Sequence, residues 1–581
     1  MLMPPSMTPP ASLPIGTSGA SGVPRLARHW LQDLRHHWAA SRSPQFVAVV
    51  LSAWLATVGN LALWHRLGQL YELSDPHGAL RLQLGGLVLL ATLALLLLLA
   101  WPRFMKPVWG LVLVVAACAQ HFMLEYGIFI DAGMVLNATH TNASEARDLL
   151  GWHLLANVLL IAGLPLAWLV PVPIQSRGVW RNIGRSGALL AFSVAALLGG
   201  IAASYRDLAP LTRNHKELRY LINPLSTVVA AGTAVLKPLL KKSRAFLPIS
   251  AGALLGASYA QQARPPLFVL VVGETARADH FALNGYPRNT TPELAARGVL
   301  SWHKVHSCGT NTLASVPCMF SHLGKEKFEQ RSADHENLLD VLQAAGLAVL
   351  WVDNQAGCKG VCDRVASAST SDAQRTTEGQ ALCRDDECQD EMMLKGLDER
   401  LTRLPEQQRR NGVVLVMHQM GSHGPAYYRR STPETKRFQP ECTSHALADC
   451  TQDALVNAYD NSIAYTDHFL AKTIDWLQRH KSRHDVGMLY LSDHGESLGE
   501  YGLFLHGVPY AVAPEVQKHV PMVVWPGSLL ARRDVDAQCL KGGLDSALTH
   551  DNLYHTVLGA LDVRTPTYQR GLDAFAGCRP G

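Results

Sequence analysis

Five apolar stretches crowd into the first third of this 581-residue chain, at about 44–64, 84–101, 107–124, 149–171 and 186–205. Each approaches the roughly 20 residues that a helix needs to cross a bilayer. A chain that carries them must satisfy every backbone group inside its own helices at membrane depth. Charged residues make up 17% of the whole, below the roughly 25% of a soluble domain, and nearly all of that deficit lies before residue 206. The sequence therefore divides into a membrane half and a water-soluble half. A net charge of +5 is too small on this length to indicate a nucleic-acid partner.

The loops set the orientation. Arg103 and Lys106 share one short connection, and Arg177, Arg181 and Arg185 share another. Glu72, Asp75, Glu125, Asp131, Glu145 and Asp148 gather in the alternate ones. The positive-inside rule then places the amino terminus in the cytoplasm and everything after residue 206 outside. Residues 1–43 read as a disordered, then basic, cytoplasmic extension, in which Trp30 and Trp38 interleave with the cations. Residues 44–205 are the five-helix domain. Residues 206–265, interrupted by Pro224 and Pro238, read as bridging helices lying on the membrane plus a linker. Residues 266–581 read as a separate water-soluble domain.

Ten of the eleven cysteines fall after residue 307, and only Cys118 lies in the membrane half. An even set confined to one domain indicates disulfides and an oxidising compartment, here the periplasm of a bacterium with two membranes. Spacing suggests Cys308 with Cys318, Cys358 with Cys362, Cys383 with Cys388 and Cys442 with Cys450, leaving Cys539 for Cys578.

From Pro265 onward short apolar runs end in polar residues. Leu267 to Val272 runs into Gly273-Glu274, Val349 to Val352 into Asp353-Asn354, Val413 to Met417 into His418, and Met488 to Leu491 reaches Asp493-His494 one residue on. Such runs, alternating with helical patterns such as Asn457 to Leu477, predict an α/β domain with a largely parallel sheet. Ligands bind at the carboxyl edge of such sheets, so Glu274, His418, His423, Asp493 and His494 converge there, and His506 returns twelve residues after His494. Mixed carboxylate and imidazole donors suit zinc. His306 to Thr312 precedes a helical stretch. Its Gly and hydroxyl residues fit either an anion site with a nucleophile or simple helix capping, and a Thr hydroxyl needs a base or a metal to take its proton.

Six segments carry a resemblance: VVGETARADH (271–280), SCGTNTLASVPCM (307–319), CKGVCDR (358–364), MHQMGSHGPAYY (417–428), AYDNSIAYTD (458–467) and LSDHGESLGEYGLFLHG (491–507). From about residue 44 to 570 the chain resembles the phosphoethanolamine transferases that modify lipid A. These include the mobile colistin-resistance enzymes, within the alkaline phosphatase and sulfatase superfamily. The resemblance implies a multi-domain protein: a five-helix transmembrane bundle plus an α/β/α alkaline-phosphatase-like (sulfatase-like) soluble domain. It implies a zinc site of Glu274, Thr312, Asp493 and His494, with Thr312 the nucleophile. His423 and His506, expected protonated, would hold the substrate phosphate or a second, weaker zinc, with His418 beside them. Lys359 would contact substrate, although Gln355-Ala356-Gly357 before it departs from relatives. Asn137, Thr141 and Glu145 would meet the donor headgroup.

The implied activity is transfer of phosphoethanolamine from phosphatidylethanolamine to lipid A by a monomer in the bacterial inner membrane, conferring polymyxin resistance. A sulfatase is disfavoured because Cys318-Met319-Phe320-Ser321 lacks the required Pro and Arg. A glycerol-phosphate transferase, a phosphoethanolamine transferase acting on another envelope glycan, and a non-catalytic receptor for a metal or lipid headgroup stay as alternatives.

Overall fold

A computed structural model describes residues 41–70, 78–141, 146–147, 149–175, 178–240, 244–373, 382–384 and 387–580. The expectations for residues 1–40, and for Glu72, Asp75, Glu145, Asp148 and Arg177, lie outside the described residues.

Among the described residues five helices are long and apolar enough to cross a membrane: Pro44–Leu70, Leu80–Leu98, Met105–Glu125, Trp152–Leu169 and Val179–Ala203. Two differ from expectation. The first continues past residue 64 through a tight turn at Val58–Asn60. The last begins early enough to take Arg181 and Arg185 into its first turns, with Gly178 at its amino-terminal boundary. The bridging segment also differs. Leu225–Leu240 is one helix, with Pro224 before its first residue and Pro238 tolerated in its last turn, where little helix remains to be disrupted.

A buried polar knot joins these elements. The turn at Val58–Asn60 leaves carbonyls without helical partners, and Asn223 supplies them: its side-chain nitrogen donates to Gly59 O (3.0 Å) and Ala116 O (2.7 Å). Asn60 Oδ1 accepts from Asn223 N (2.9 Å), and Gln120 Oε1 accepts from Leu61 N (2.9 Å). Three amides thus replace the water that a membrane interior cannot provide.

The soluble half is built on a seven-stranded sheet. In chain order its strands are β1 Pro266–Gly273, β2 Leu300–Trp302, β3 Ala348–Asp353, β4 Ala366–Ser369, β5 Val413–His418, β6 Asp485–Ser492 and β7 Met522–Trp525. The spatial order is β2-β7-β6-β1-β5-β3-β4, with only β7 antiparallel to its neighbours. The four expected runs are the central strands. β2, β4 and β7 are short, and their runs were too brief to stand out in sequence.

Alternate residues of β1 enter different cores. Phe268, Leu270 and Val272 pack on one face, and Leu267, Val269 and Val271 on the other. Period-2 side chains with both faces covered produce a continuous apolar run. Gln452–His480, capped by Thr451, closes the second face with Tyr459, Ile463, Phe469 and Leu470. Each such fully buried side chain contributes about 1.5–3 kcal/mol of transfer free energy.

The two halves meet at residues 501–514. Phe504 N donates to Tyr126 O (2.7 Å). Leu503, Phe504, Leu505, Val508 and Ala513 share an apolar cluster with Tyr126, Ile128 and Phe129. Gly127 sits at φ +65, and a Cβ there would lie 2.2 Å from Gly502 O.

Candidate metal and phosphoryl-transfer site

Parallel register puts the site together. Ser492 pairs with Gly273, His418 with Val272 and Asp353 with His418. The residues that follow β1 and β6 therefore emerge side by side at one sheet edge. Glu274, His418, Asp493 and His494 are 0% exposed there, and Thr312 is 6% exposed. Thr312 arrives as the first residue of the helix Thr312–Met319. The cap of that helix is Asn311, whose side chain accepts from Ala314 N (3.0 Å). The segment thus caps its helix through Asn311, and the Thr312 hydroxyl is not the capping group.

Thr312 Oγ1 lies 3.2 and 3.3 Å from the two Glu274 oxygens and 3.5 Å from His494 Nε2. His494 Nε2 is 3.3 Å from Glu274 Oε1 and 3.3 Å from Asp493 Oδ2. Donors about 2.0–2.1 Å from a tetrahedral zinc stand roughly 3.3–3.4 Å apart, so these separations match the edges of that polyhedron. Backbone groups orient the donors. Asp493 Oδ1 accepts from His494 N (2.7 Å) and Thr275 N (3.2 Å), leaving Oδ2 buried without a hydrogen-bond partner. His494 Nδ1 donates to Gly495 O (2.9 Å), which turns Nε2 toward the cluster.

The electrostatics are those of a cation-seeking cluster. Burial, then the Glu274 charge, pushes Asp493 up to about 6. Burial opposes charge on His494, but Asp493 and Glu274 outweigh it and hold the imidazole at about 9. Glu274 resists burial through its bond to His494 and stays below the usual carboxylate range. Two carboxylates and one shared proton occupy a space that a divalent ion would fill.

Around this core stands a second set. His506 Nδ1 bonds Glu496 Oε2 (2.8 Å), which is in turn fixed by the Tyr427 hydroxyl (2.6 Å). Ring centroids of His506 lie 4.4 Å from His494 and 5.3 Å from His423. Glu274, His423 and His506, and separately His494, Glu496 and His506, offer ligand atoms all within 4.8 Å of one another. Burial pushes His423 down to about 3 against the pull of nearby Glu274. His418 Nδ1 bonds Asp353 Oδ1 (2.9 Å), and its unpartnered Nε2 stands 3.9 Å from Glu274.

Lys359 does not point into this cluster by any bond seen here. It takes a left-handed φ of 52°, and Nζ donates to Ala356 O (2.8 Å), three residues earlier. Asn137 lies on the helix Ala132–Thr139, and its carbonyl accepts from the Thr141 hydroxyl (3.0 Å). That helix approaches the site through Met134, whose Cε lies 2.8 Å from a Cβ placed on Gly507. Sequence reasoning missed Glu496, Tyr427 and Asp353 as supports. Glu496, two residues after His494, and Asp353, at the end of an apolar run, carried a local signal. All five expected disulfides are present, Cys308–Cys318, Cys358–Cys362, Cys383–Cys388, Cys442–Cys450 and Cys539–Cys578, and Cys118 is free.

A mixed α/β sheet whose carboxyl edge gathers two carboxylates, an imidazole and a helix-start hydroxyl defines a phosphoryl- or sulfuryl-transfer enzyme of the sulfatase type, anchored by five spanning helices. Comparisons with known proteins agree. The Sulfatase family matches residues 266–563, and the family described as Phosphoethanolamine transferase EptA/EptB matches residues 88–239. The chain is 38% identical to phosphoethanolamine transferase EptA of Escherichia coli (strain K12), across 82% of this chain and 86% of that one. It is 37% identical to phosphatidylethanolamine transferase Mcr-1 of Escherichia coli, across 90% and 96%. The integral membrane lipooligosaccharide phosphoethanolamine transferase A (EptA) of Neisseria meningitidis superposes with a TM-score of 0.88 at 32% identity, across 93% of this chain and 100% of that structure. The chain belongs to the EptA/Mcr family of phosphoethanolamine transferases and is a multi-pass membrane enzyme.

Proposed function

We propose that the protein moves phosphoethanolamine from phosphatidylethanolamine to a phosphate of lipid A by two displacements at Thr312. The observation that carries this is the set of 3.2–3.5 Å separations joining the Thr312 hydroxyl to Glu274 and His494. Glu274, Thr312, Asp493 and His494 would hold one tight zinc, and Glu274, His423 and His506 fit a weaker second. Zinc supplies Lewis acidity, which lowers the hydroxyl pKa of Thr312 and offsets charge on the phosphoryl group.

In the first step Thr312 Oγ1 attacks phosphorus. Its proton passes along the hydrogen bond to Glu274, the phosphorus–oxygen bond to diacylglycerol breaks, and that oxygen leaves as the alcohol by taking the proton from Glu274. In the second step a lipid A phosphate oxygen attacks the phosphoethanolamine on Thr312, and Oγ1 departs and regains a proton. His423, neutral, and His506, oriented by Glu496, offer ring N–H groups to the phosphoryl oxygens, and His418 is held behind Glu274 by Asp353. By the family resemblance Asn137, Thr141 and Glu145 would meet the donor headgroup, and Lys359 would contact substrate after leaving Ala356 O.

The donor's route is supported by an apolar groove of about 820 Å³ between spanning helices, lined by Leu87, Val88, Leu197 and Ile201 and ending at Asp131 and Ala132. These begin the helix that touches Gly507, next to His506. Five spans and five disulfides support a catalytic domain in the periplasm, beyond residues 206–265. The product gains an amine that offsets a phosphate charge, so cationic peptides such as polymyxins bind the surface less well.

The test is mass spectrometry of the Thr312 peptide after incubation with phosphatidylethanolamine. A phosphoethanolamine adduct on Thr312, and loss of transfer in a folded Thr312→Ala protein, are expected. A glycerol-phosphate adduct would replace the donor, and transfer retained by Thr312→Ala would remove the nucleophile.

A further inference from the structure

The halves of the site come from distant segments: Thr312 follows the loop after His306, and Asp493 and His494 follow β6. A third segment touches both. His550 is 1% exposed. Its Nδ1 lies 3.0 Å from the backbone nitrogen of Cys308, and its Nε2 lies 2.9 Å from the carbonyl oxygen of Ser492. A backbone N–H only donates and a carbonyl only accepts, so the ring must accept at Nδ1 and donate at Nε2. One neutral tautomer satisfies both bonds. The other tautomer satisfies neither, and an imidazolium would leave the buried Cys308 N–H unpaired.

Burial, aided by charge on His494, pushes the His550 imidazole down to about 3, consistent with that neutral form. The ring is mounted rigidly. His550 N donates to His306 O (2.9 Å), and Ala547–Thr549 pairs in parallel with Lys304–His306. Other bonds tie the nucleophile loop to itself, to the 507–519 loop or to Lys325: Gly309 N to Ser315 Oγ (3.0 Å), Tyr510 OH to Ser307 O (3.1 Å), Ser307 N to Lys518 O (2.8 Å), and Lys325 Nζ to Cys308 O. His550 instead spans from that loop, four residues before Thr312, to the residue before Asp493.

We propose that His550 is a positioning residue: a neutral imidazole of fixed tautomer that sets the separation between the Thr312 hydroxyl and the Asp493–His494 pair. This rests on the reading of Thr312 as nucleophile. A misplacement of about 1 Å at such a centre is enough to cost on the order of 100-fold in rate.

The experiment uses full-length, zinc-loaded protein in liposomes of phosphatidylethanolamine with lipid A as acceptor. It compares wild type, His550→Phe, which fills the ring's space without hydrogen bonds, and His550→Gln, which keeps one acceptor and one donor. His550→Phe is expected to lose about 10- to 100-fold in kcat, with KM for the donor and zinc per chain near wild type, and His550→Gln to recover at least several-fold of that loss. Wild-type kcat in zinc-replete His550→Phe would overturn the proposal. So would a His550→Gln protein as impaired as His550→Phe while folded and zinc-loaded, or activity that falls only in proportion to lost zinc. If His550→Phe does not fold, His550→Glu, which accepts from Cys308 but has no donor for Ser492, takes its place under the same criteria. The wild-type Thr312 adduct is measured first. Its absence defeats the proposed function, whereas its presence beside an unaffected His550 variant defeats only this inference.

Discussion

A divalent metal that enters this site has to displace a proton, and the electrostatics single out which one. Asp493 is raised to about 6 and has given up its proton by neutral pH, but His494 is held at about 9 by Asp493 and Glu274. A histidine with a raised folded pKa stabilises the metal-free protein fully below about 6.5, and that contribution is lost as pH rises through about 9. Metal competes with the same proton. At pH 7 the gap to about 9 corresponds to about 2.7 kcal/mol, at 1.36 kcal/mol per unit. Apparent zinc affinity should therefore rise about tenfold per pH unit between 6.5 and 8.5 and flatten above about 9. His418, which Asp353 holds above its ordinary value against burial, adds to the proton release if zinc expels its proton too. The assay is chelator competition on the metal-free, full-length protein across that window. Repeating it calorimetrically in buffers of different ionisation enthalpy counts the protons released. An affinity that changes less than twofold from pH 6.5 to 8.5, or release of no proton, refutes the reasoning.

Three further outcomes follow from the contacts described. Asn223→Ala removes two buried donors from the Gly59 and Ala116 carbonyls. It should lower stability by about 1–3 kcal/mol, read as a drop in the detergent-solubilised Tm without loss of zinc. Gly127→Ala places a Cβ 2.2 Å from Gly502 O at a left-handed φ of +65. The 501–508 loop that carries His506 must shift, so kcat should fall while the soluble domain keeps its disulfides and zinc. Tyr427→Phe takes the 2.6 Å hydroxyl bond from Glu496. It should cost about 1–2 kcal/mol in kcat/KM, the value of a hydrogen bond to a charged group, measured with the donor lipid.

What the sequence settled came from local rules. Length and apolarity alone fix the number of spans, since each must bury about 20 residues whatever surrounds it. Charge in the loops fixes their sense. β1, β3, β5 and β6 were readable because strands covered on both faces become uninterrupted apolar runs, whose polar successors mark an edge. β2, β4 and β7 were not readable, because three or four residues carry too little periodicity and their pairing is decided by neighbours.

The site was legible as a set of residues and silent as a geometry. Asp493-His494 shows in the chain, but the 3.3 Å from His494 Nε2 to Glu274 exists only because β6 pairs with β1 in one register. Slipping that pairing by one residue would turn every side chain of the strand to the opposite face. Likewise the nearness of His506 to His494 depends on a loop seated against Tyr126 and Phe129 of the membrane half. His550 carries no sequence signal at all, for its role lies in two backbone groups brought to either side of one ring. Hydropathy and charge act through the solvent each segment meets, so sequence determines them. Distances between distant segments depend on packing, and only the tertiary structure decides those.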